Sequence, residues 1–401
     1  MTKTRHSRER PRERPCSLSR DLEGFRKEVW EFAEETLRPL ADRTDREARF
    51  NAEAFEQMRE MGLLGVIFPE EHGGMGGDYV LYATAVEEIG RACASTGLSY
   101  AAHVSLGANP IKLFGTDEQK EKYLKPLARG DYLGSWALTE PDAGSDAGGT
   151  KTTSEKVDGG WVLNGRKKFI THGNLAGTVI VLAKSDPEAF GSRGITSFIV
   201  EKGTQGFSIG ELEDKMGLRG SPTAELIFED CFVPDENVTG EVGTGFRQAL
   251  ETLDGGRVSI AALSIGIAQA AFEDALAYAK KRRQFGKAIG EFQAVQHKIA
   301  DMGTEIEAAR SLTMTACRAK DAGERTTRLS AMAKLFASEV ALRACQQSFQ
   351  IHGGYAFVRQ YPAERYLRDV QLMTIGEGTS EIQRLVISRQ YGLHENMSEE
   401  G

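Results

Sequence analysis

From about residue 20 to 130, apolar residues recur at three- and four-residue steps, the spacing of helices that bury one face. The pattern opens in DLEGFRKEVWEFAEETL, where Asp21 stands as an N-cap ahead of the first periodic residue. A glycine-rich loop, PEEHGGMGGD, interrupts it. From about 131 to 240 the texture becomes short β-rich runs between turn residues: TVIVLAK, ITSFIV and AELIFEDCFV predict strands. In WVLNGRKKF, Asn164-Gly165 between apolar and alternating segments predicts a hairpin turn. From about 241 onward long helices return. Phe292, Val295, Ile299, Met302, Ile306 and Ala309 form a stripe at helical spacing, and LSAMAKLFASEVALRACQQSFQI predicts a second long helix. VSIAALSIGIAQAAF (258–272) predicts a buried helix of small residues; it is too short, and too polar at its serines and glutamine, for a membrane span. Helices, a β block and helices again give an α+β class with a helical bundle at the C-terminal end. The boundaries read from texture are an extension at 1–19, expected to be disordered, and regions at 20–130, 131–240 and 241–401.

Composition narrows the classes. The 401 residues are 40% hydrophobic and 27% charged, as in a soluble globular protein, and the net charge of −8 disfavours a nucleic-acid binder. Cys16, Cys93, Cys231, Cys317 and Cys345 are widely separated, with no CxxC, which suits a reducing compartment and signals neither a disulfide framework nor a zinc cluster. The seven histidines never take HExxH spacing, so no metal is expected. The arginine-rich N-terminus carries Glu9 and Glu13, unlike a transit peptide, so a bacterial-type cytoplasmic location is expected over a mitochondrial matrix.

Nucleotide signatures are missing: no GxGxxG follows a strand, and Gly286-Lys287 is followed by alanine. Four other stretches carry chemistry. ALTEPDAGSDAGGTK (137–151) offers backbone donors and hydroxyls to a phosphate or ring edge, or is a plain connecting loop. RRQFGKAIGEFQ (282–293) offers Arg282 to a phosphate and Phe285 to a flat ring, or is an exposed helix end with one buried aromatic. QIHGGYAF (350–357) is a helix stop whose glycines admit close backbone approach; His352 alone reads as structural. TIGEGTSEIQRLV (374–386) sets Glu377 between two glycines just ahead of a helix start, either as a loop acid held by the dipole or as a catalyst.

Together and in this order, ALTEPDAGSD, KKFITHG, LDGGRVSIAALSIGIAQ, RRQFGKAIGEFQ, QIHGGYAF, YPAERYLRD and IGEGTSEIQR resemble the acyl-CoA dehydrogenase family of flavoproteins, over roughly residues 20 to 392. The resemblance implies an N-terminal helical domain, a central β-barrel-like domain and a C-terminal four-helix bundle. It implies FAD held between the β domain, the bundle and a neighbouring subunit. Leu138, Thr139, Gly144 and Ser145 would line the flavin, with Ser145 also near CoA; Phe169, Ile170 and Thr171 would pass the flavin ring, Phe169 standing where many members have tryptophan. Arg282, Phe285, Gln293, Gln350, Gly353 and Gly354 would hold the pyrophosphate and adenine across the interface, and Thr379 and Glu381 would add flavin contacts. Asp254, Arg257, Gly376 and Gly378 would lie near the acyl-CoA. Glu377 falls on the family's catalytic base, its N–H bonding the thioester oxygen; the β-hydrogen then leaves as hydride and a trans-2-enoyl thioester results. One branch carries its base on the helix containing LDGGR, where this chain has Gly255 and Gly256.

The implied partners are an acyl-CoA substrate, an electron-transferring flavoprotein and three further copies in a homotetramer, with neither nucleic acid nor membrane insertion. Many straight-chain members have tyrosine where this chain has Gly376, so short to medium acyl groups with tolerance of a methyl branch are expected, Met373 filling part of the pocket's far end. The rival readings are an oxygen-using flavoenzyme of the same scaffold and a non-catalytic acyl-CoA-binding protein.

Overall fold

A computed structural model describes residues 21–189 and 191–393; the extension read at 1–19 lies outside them. Asp21 does cap the first helix, Leu22–Phe32, its side chain accepting from the Gly24 N–H at 2.9 Å. Further helices, chiefly Tyr79–Ala92 and Ala94–Ala102, complete the N-terminal part.

The middle of the chain is one eight-stranded sheet: β1 (Gly134–Ala137), β2 (Thr153–Val157), β3 (Gly160–Thr171), β4 (Thr178–Lys184), β5 (Ile195–Glu201), β6 (Phe207–Leu212), β7 (Thr223–Pro234) and β8 (Val238–Thr239). The order is β6-β7-β3-β2-β4-β5-β8, with β1 parallel to β4. Trp161 on β3 meets Phe198 on β5 with ring centroids 5.7 Å apart, although two strands lie between them. The sheet therefore curls around its own core, which includes Leu163, Val181, Phe198, Leu226 and Phe228.

The hairpin expected at Asn164-Gly165 lies six residues earlier. Val157 pairs with Gly160 around Asp158-Gly159, and β3 runs straight through Asn164. Asn164 serves a bulge instead: the register to β7 shifts there, and its side chain accepts from the Asp230 N–H at 2.8 Å. β3 must be long because it pairs with both β2 and β7, so only the earlier Asp-Gly is free to turn.

The C-terminal part is built on helix Gly245–Lys281, which packs most heavily against Thr327–His352 and Tyr79–Ala92. Helices Gln293–Asp321 and Ser380–Gln390 complete the bundle. The helix of small residues is thus longer than its apolar stretch suggested. It has the length and hydropathy to cross a membrane, but 67% of its most apolar window is buried in the protein. One large core joins the N-terminal and C-terminal helices; Met302, Ile306 and Ala309 of the stripe belong to it, with Val295 and Ile299 packed at its edge.

Candidate active site

Glu377 takes a left-handed backbone (φ 55°), followed by Gly378 at φ 92°. Thr379 is the next residue and the N-cap of helix Ser380–Gln390, its hydroxyl accepting from the Ile382 N–H at 3.3 Å. This left-handed stretch lies between the turn at 370–374 and the helix, with the end of the Glu377 side chain buried. The residue is only partly covered as a whole, yet Oε2 is sealed from solvent and has no hydrogen-bond partner among the described residues. Burial pushes the carboxyl up to about 7, against the opposing pull of Lys334 and Arg257.

The carboxyl lies against Gly256 of the LDGGR stretch. A Cβ built at Gly256 would collide with Glu377 Oε2 and would crowd Leu106 at 3.2 Å. The glycine is therefore required by the acid, and a second acid at 256 would compete for the same space. Beside Gly256 on the same helix, buried Arg257 pairs with Asp254 at 2.6 Å, and Asp254 accepts from Thr327 Oγ1 at 2.7 Å. Gly376 is less constrained: a Cβ there meets only Leu372, at 3.5 Å or more. Met373, expected to face the pocket, is fully buried in the helical core.

A second group sits on the β domain. Leu138 and Ile170 are buried, whereas Gly144 and Ser145 are exposed, and among the described residues no atom stands within 4 Å of a Cβ built at Gly144. Phe169 holds φ 60° and leaves 60% of its surface exposed, with Thr171 two residues on. The loop bearing Leu138, Thr139, Gly144 and Ser145 is fastened to β3 from below. Lys167, fully buried, donates to Glu140 Oε1 at 2.7 Å, Thr150 Oγ1 at 3.0 Å and the Leu138 carbonyl at 3.1 Å. Glu140 also accepts from the backbone of Lys151 and Thr152. Burial alone would raise its carboxyl, but Lys167 and these donors bring it down to about 2.

A third group lies at the far end of the long helix. That helix stops at Lys281, and a small hairpin follows, pairing Arg283–Gln284 with Lys287–Ala288. Its turn is Phe285-Gly286, both left-handed, and Phe285 is 92% exposed, so the alternative of one buried aromatic does not hold. Arg282 lies 5.3 Å over the Tyr355 ring and helps line a cavity of about 630 Å³ with Tyr278, His352, Gly353 and Gly354. Gln350 precedes these glycines and Gln293 begins the next helix, both exposed. His352 is structural, its Nδ1 bonded to the Ser348 carbonyl at 2.8 Å. Glu381 is exposed in the first turn of the last helix.

The first and third groups do not converge within one chain. At a helical rise of about 1.5 Å per residue, Gly256 and Arg282 are about 40 Å apart along one helix. The donor set nonetheless suits a flavin dinucleotide. Arg282 offers a guanidinium to a pyrophosphate, the exposed rings of Phe169 and Phe285 offer flat faces, and none of the described residues would touch a Cβ at Gly353 or Gly354. Sequence reasoning missed Lys167, Glu140 and Lys334. The signal was present in Lys334, a lone cation inside the apolar run LSAMAKLFASEV.

Comparison with known proteins bears on the whole chain. Residues 19–131, 135–231 and 243–392 match the N-terminal, middle and C-terminal domains of acyl-CoA dehydrogenase. The chain is 53% identical to the Bacillus subtilis protein named probable acyl-CoA dehydrogenase YngJ, over 93% of this chain and 98% of that one. It is 46% identical to the short-chain specific acyl-CoA dehydrogenase of Clostridium acetobutylicum, with the same coverage. Among solved structures, butyryl-CoA dehydrogenase from Megasphaera elsdenii superposes with a TM-score of 0.90 at 44% identity, covering 92% of this chain and 98% of that one. A buried carboxyl in a left-handed turn against a glycine helix, a curled sheet and a helical bundle thus stand in the order of all three family domains: the chain belongs to the acyl-CoA dehydrogenase family of FAD-dependent oxidoreductases.

Proposed function

We propose that the protein dehydrogenates short- to medium-chain acyl-CoA thioesters between Cα and Cβ, with Glu377 as the base, and tolerates a methyl branch. The observation that carries this reading is the Glu377 carboxyl itself, sealed, unpartnered at Oε2 and poised near neutrality. A base so tuned is deprotonated at working pH yet basic enough to take an α-proton. The Glu377 N–H, in a turn of left-handed backbone, donates to the thioester oxygen and stabilises the charge that develops there. FAD, when bound, supplies the two-electron acceptor. Leu138, Thr139, Gly144, Ser145, Phe169, Ile170 and Thr171 position it from the β domain, with Thr379 and Glu381 beside the base. Arg282, Phe285, Gln293, Gln350, Gly353 and Gly354 of a second copy hold its distal half. Asp254 and Arg257 line the thioester's approach.

The separation of about 40 Å between Glu377's glycine and Arg282 supports a shared site and an oligomer, read here as a homotetramer. Electrons pass on to an electron-transferring flavoprotein rather than to oxygen. The buried, free Cys93, Cys231, Cys317 and Cys345 support a reducing setting, which we take to be a bacterial cytoplasm.

Glu377→Gln tests the base: the amide keeps the shape but takes no proton, so kcat should fall by ~10²–10⁴-fold while flavin and butyryl-CoA binding persist. Near-normal turnover would sink the assignment. Rapid peroxide formation with butyryl-CoA in air would favour the oxygen-using reading over the flavoprotein partner. Substrate shape is tested at Gly376, where a side chain can be added without collision. Gly376→Tyr should lose isobutyryl- and isovaleryl-CoA selectively against butyryl-CoA, by tens-fold in kcat/KM, the scale of one methyl in a pocket (about 1–3 kcal/mol). Equal rejection of branched thioesters by both proteins would remove Gly376 as the determinant.

A further inference from the structure

Lys334 sits on the buried face of helix Thr327–His352 with none of its surface exposed. An ammonium taken out of water persists only where it is hydrogen-bonded and its charge is answered. Its Nζ donates to the carbonyl oxygen of Gly378 at 2.8 Å, one residue beyond the base. Gln383, also fully buried, donates Nε2 to the same carbonyl at 3.0 Å and to the Glu377 carbonyl at 3.1 Å. Two buried side chains from two helices thus grip consecutive carbonyls of the turn that carries Glu377. That turn needs gripping, since a left-handed backbone is unfavourable for a non-glycine residue such as Glu377. Gly378 is fitted to the grip: a Cβ there would stand 2.6 Å from Gln383 Nε2.

We propose that Lys334 and Gln383 are positioning residues for the reaction: both hold the Glu377–Gly378 turn by its carbonyls, and the charge of Lys334 favours the ionised form of the Glu377 carboxyl against its burial. The inference rests on Glu377 as the base. The groups facing that carboxyl are few. From the long helix comes Arg257, whose charge is already answered by Asp254 at 2.6 Å. From helix Tyr79–Ala92 comes Tyr82, a buried phenol held neutral by burial. Glu339 lies on the helix of Lys334, where Arg384 answers it, and Glu381 is exposed on the last helix. Lys334 is therefore the one buried cation facing Glu377, among the described residues, whose charge no ion pair offsets. Burial lowers its own ammonium to about 8 while Glu377 holds it up, so the two groups titrate as a linked pair.

The test is the pH profile of kcat for butyryl-CoA in the flavin-loaded enzyme. Lys334→Met should move the ascending limb to higher pH by about one unit, the size of losing a nearby opposite charge, and recover turnover at alkaline pH. Gln383→Leu removes a donor but no charge, so it should lower kcat without moving the limb. Both variants should speed hydrogen exchange in the peptide covering 372–382 before any substrate is added. A limb at the wild-type position in Lys334→Met, whatever its height, overturns the electrostatic role; unchanged exchange in both variants overturns the grip. Lys334→Gln provides a second neutral variant. If neither neutral variant folds and takes up flavin, Lys334 is a packing residue and the proposal fails. Turnover by Glu377→Gln would strike the base assignment itself, a separate outcome.

Discussion

At the scale of the residue, Glu377, as the proposed base, would set activity against stability. Its carboxyl ionises near pH 7 in the folded chain, above its ordinary value of 4.5, because burial opposes the charge. The folded state therefore binds the proton more tightly than the unfolded chain, and stability falls as pH rises through that window. Glu377→Gln removes the penalty. In the protein free of ligand it should be more stable than wild type at pH 8, by up to about 3 kcal/mol, and nearly equal to it at pH 4. Thermal melts at the two pH values check this; equal melting at pH 8 would mean the carboxyl is not strained. Gly256 makes the complementary prediction. Gly256→Ala should leave the fold intact and lower kcat by at least tenfold, since its Cβ displaces the base. Glu377 was legible in the sequence because glycines flank it and the motif is long. Lys334 carried a signal, a lone cation in an apolar run, but not its role, because a lysine in a helix reads as surface unless the packing of its face is known.

At the scale of the element, β3 and the 138–152 loop act as one piece. Lys167 and Glu140 are both buried, and each answers the other's charge. Lys167→Met would leave an uncompensated carboxylate and should destabilise by about 3–5 kcal/mol, whereas Lys167→Met with Glu140→Gln should cost clearly less. Denaturant melts of the single and double variants distinguish these, and flavin retention should follow the same order. Strand content was readable from the runs TVIVLAK and ITSFIV, which became β4 and β5. Turn position was not. Asp158-Gly159 and Asn164-Gly165 carry equal local signals, and only the need of β3 to pair with β7 chooses between them. Likewise the Phe285-Gly286 hairpin was hidden in what reads as a helix end.

At the scale of the whole molecule, the helix–sheet–helix succession was legible from periodicity. The union of the N-terminal and C-terminal helices in a single core was not, since it depends on contacts between distant segments. Met373 shows the cost: on sequence it stood near the substrate, and in the fold it fills that core. The proposed site residues were read as a set through the family motifs, but the separation of Arg282 from Glu377 is a property of the long helix alone. Gel filtration with sedimentation should find the flavin-loaded protein oligomeric, with dilution releasing flavin as subunits part; a flavin-loaded monomer would contradict the shared site.

The length of helix Gly245–Lys281 has a genetic consequence. If each site joins the base of one copy to Arg282 of another, two defective genes can rescue each other. A chain with Glu377→Gln and a chain with Arg282→Ala should then each be inactive alone. In a mixed pair, one site receives both lesions and the other receives neither. Random pairing of equal amounts should restore about a quarter of wild-type sites, as the two-fold arrangement of a shared interface requires. Co-expression of two differently tagged chains reads this directly, and an absence of recovered activity in the doubly tagged fraction would show that each copy keeps its flavin to itself.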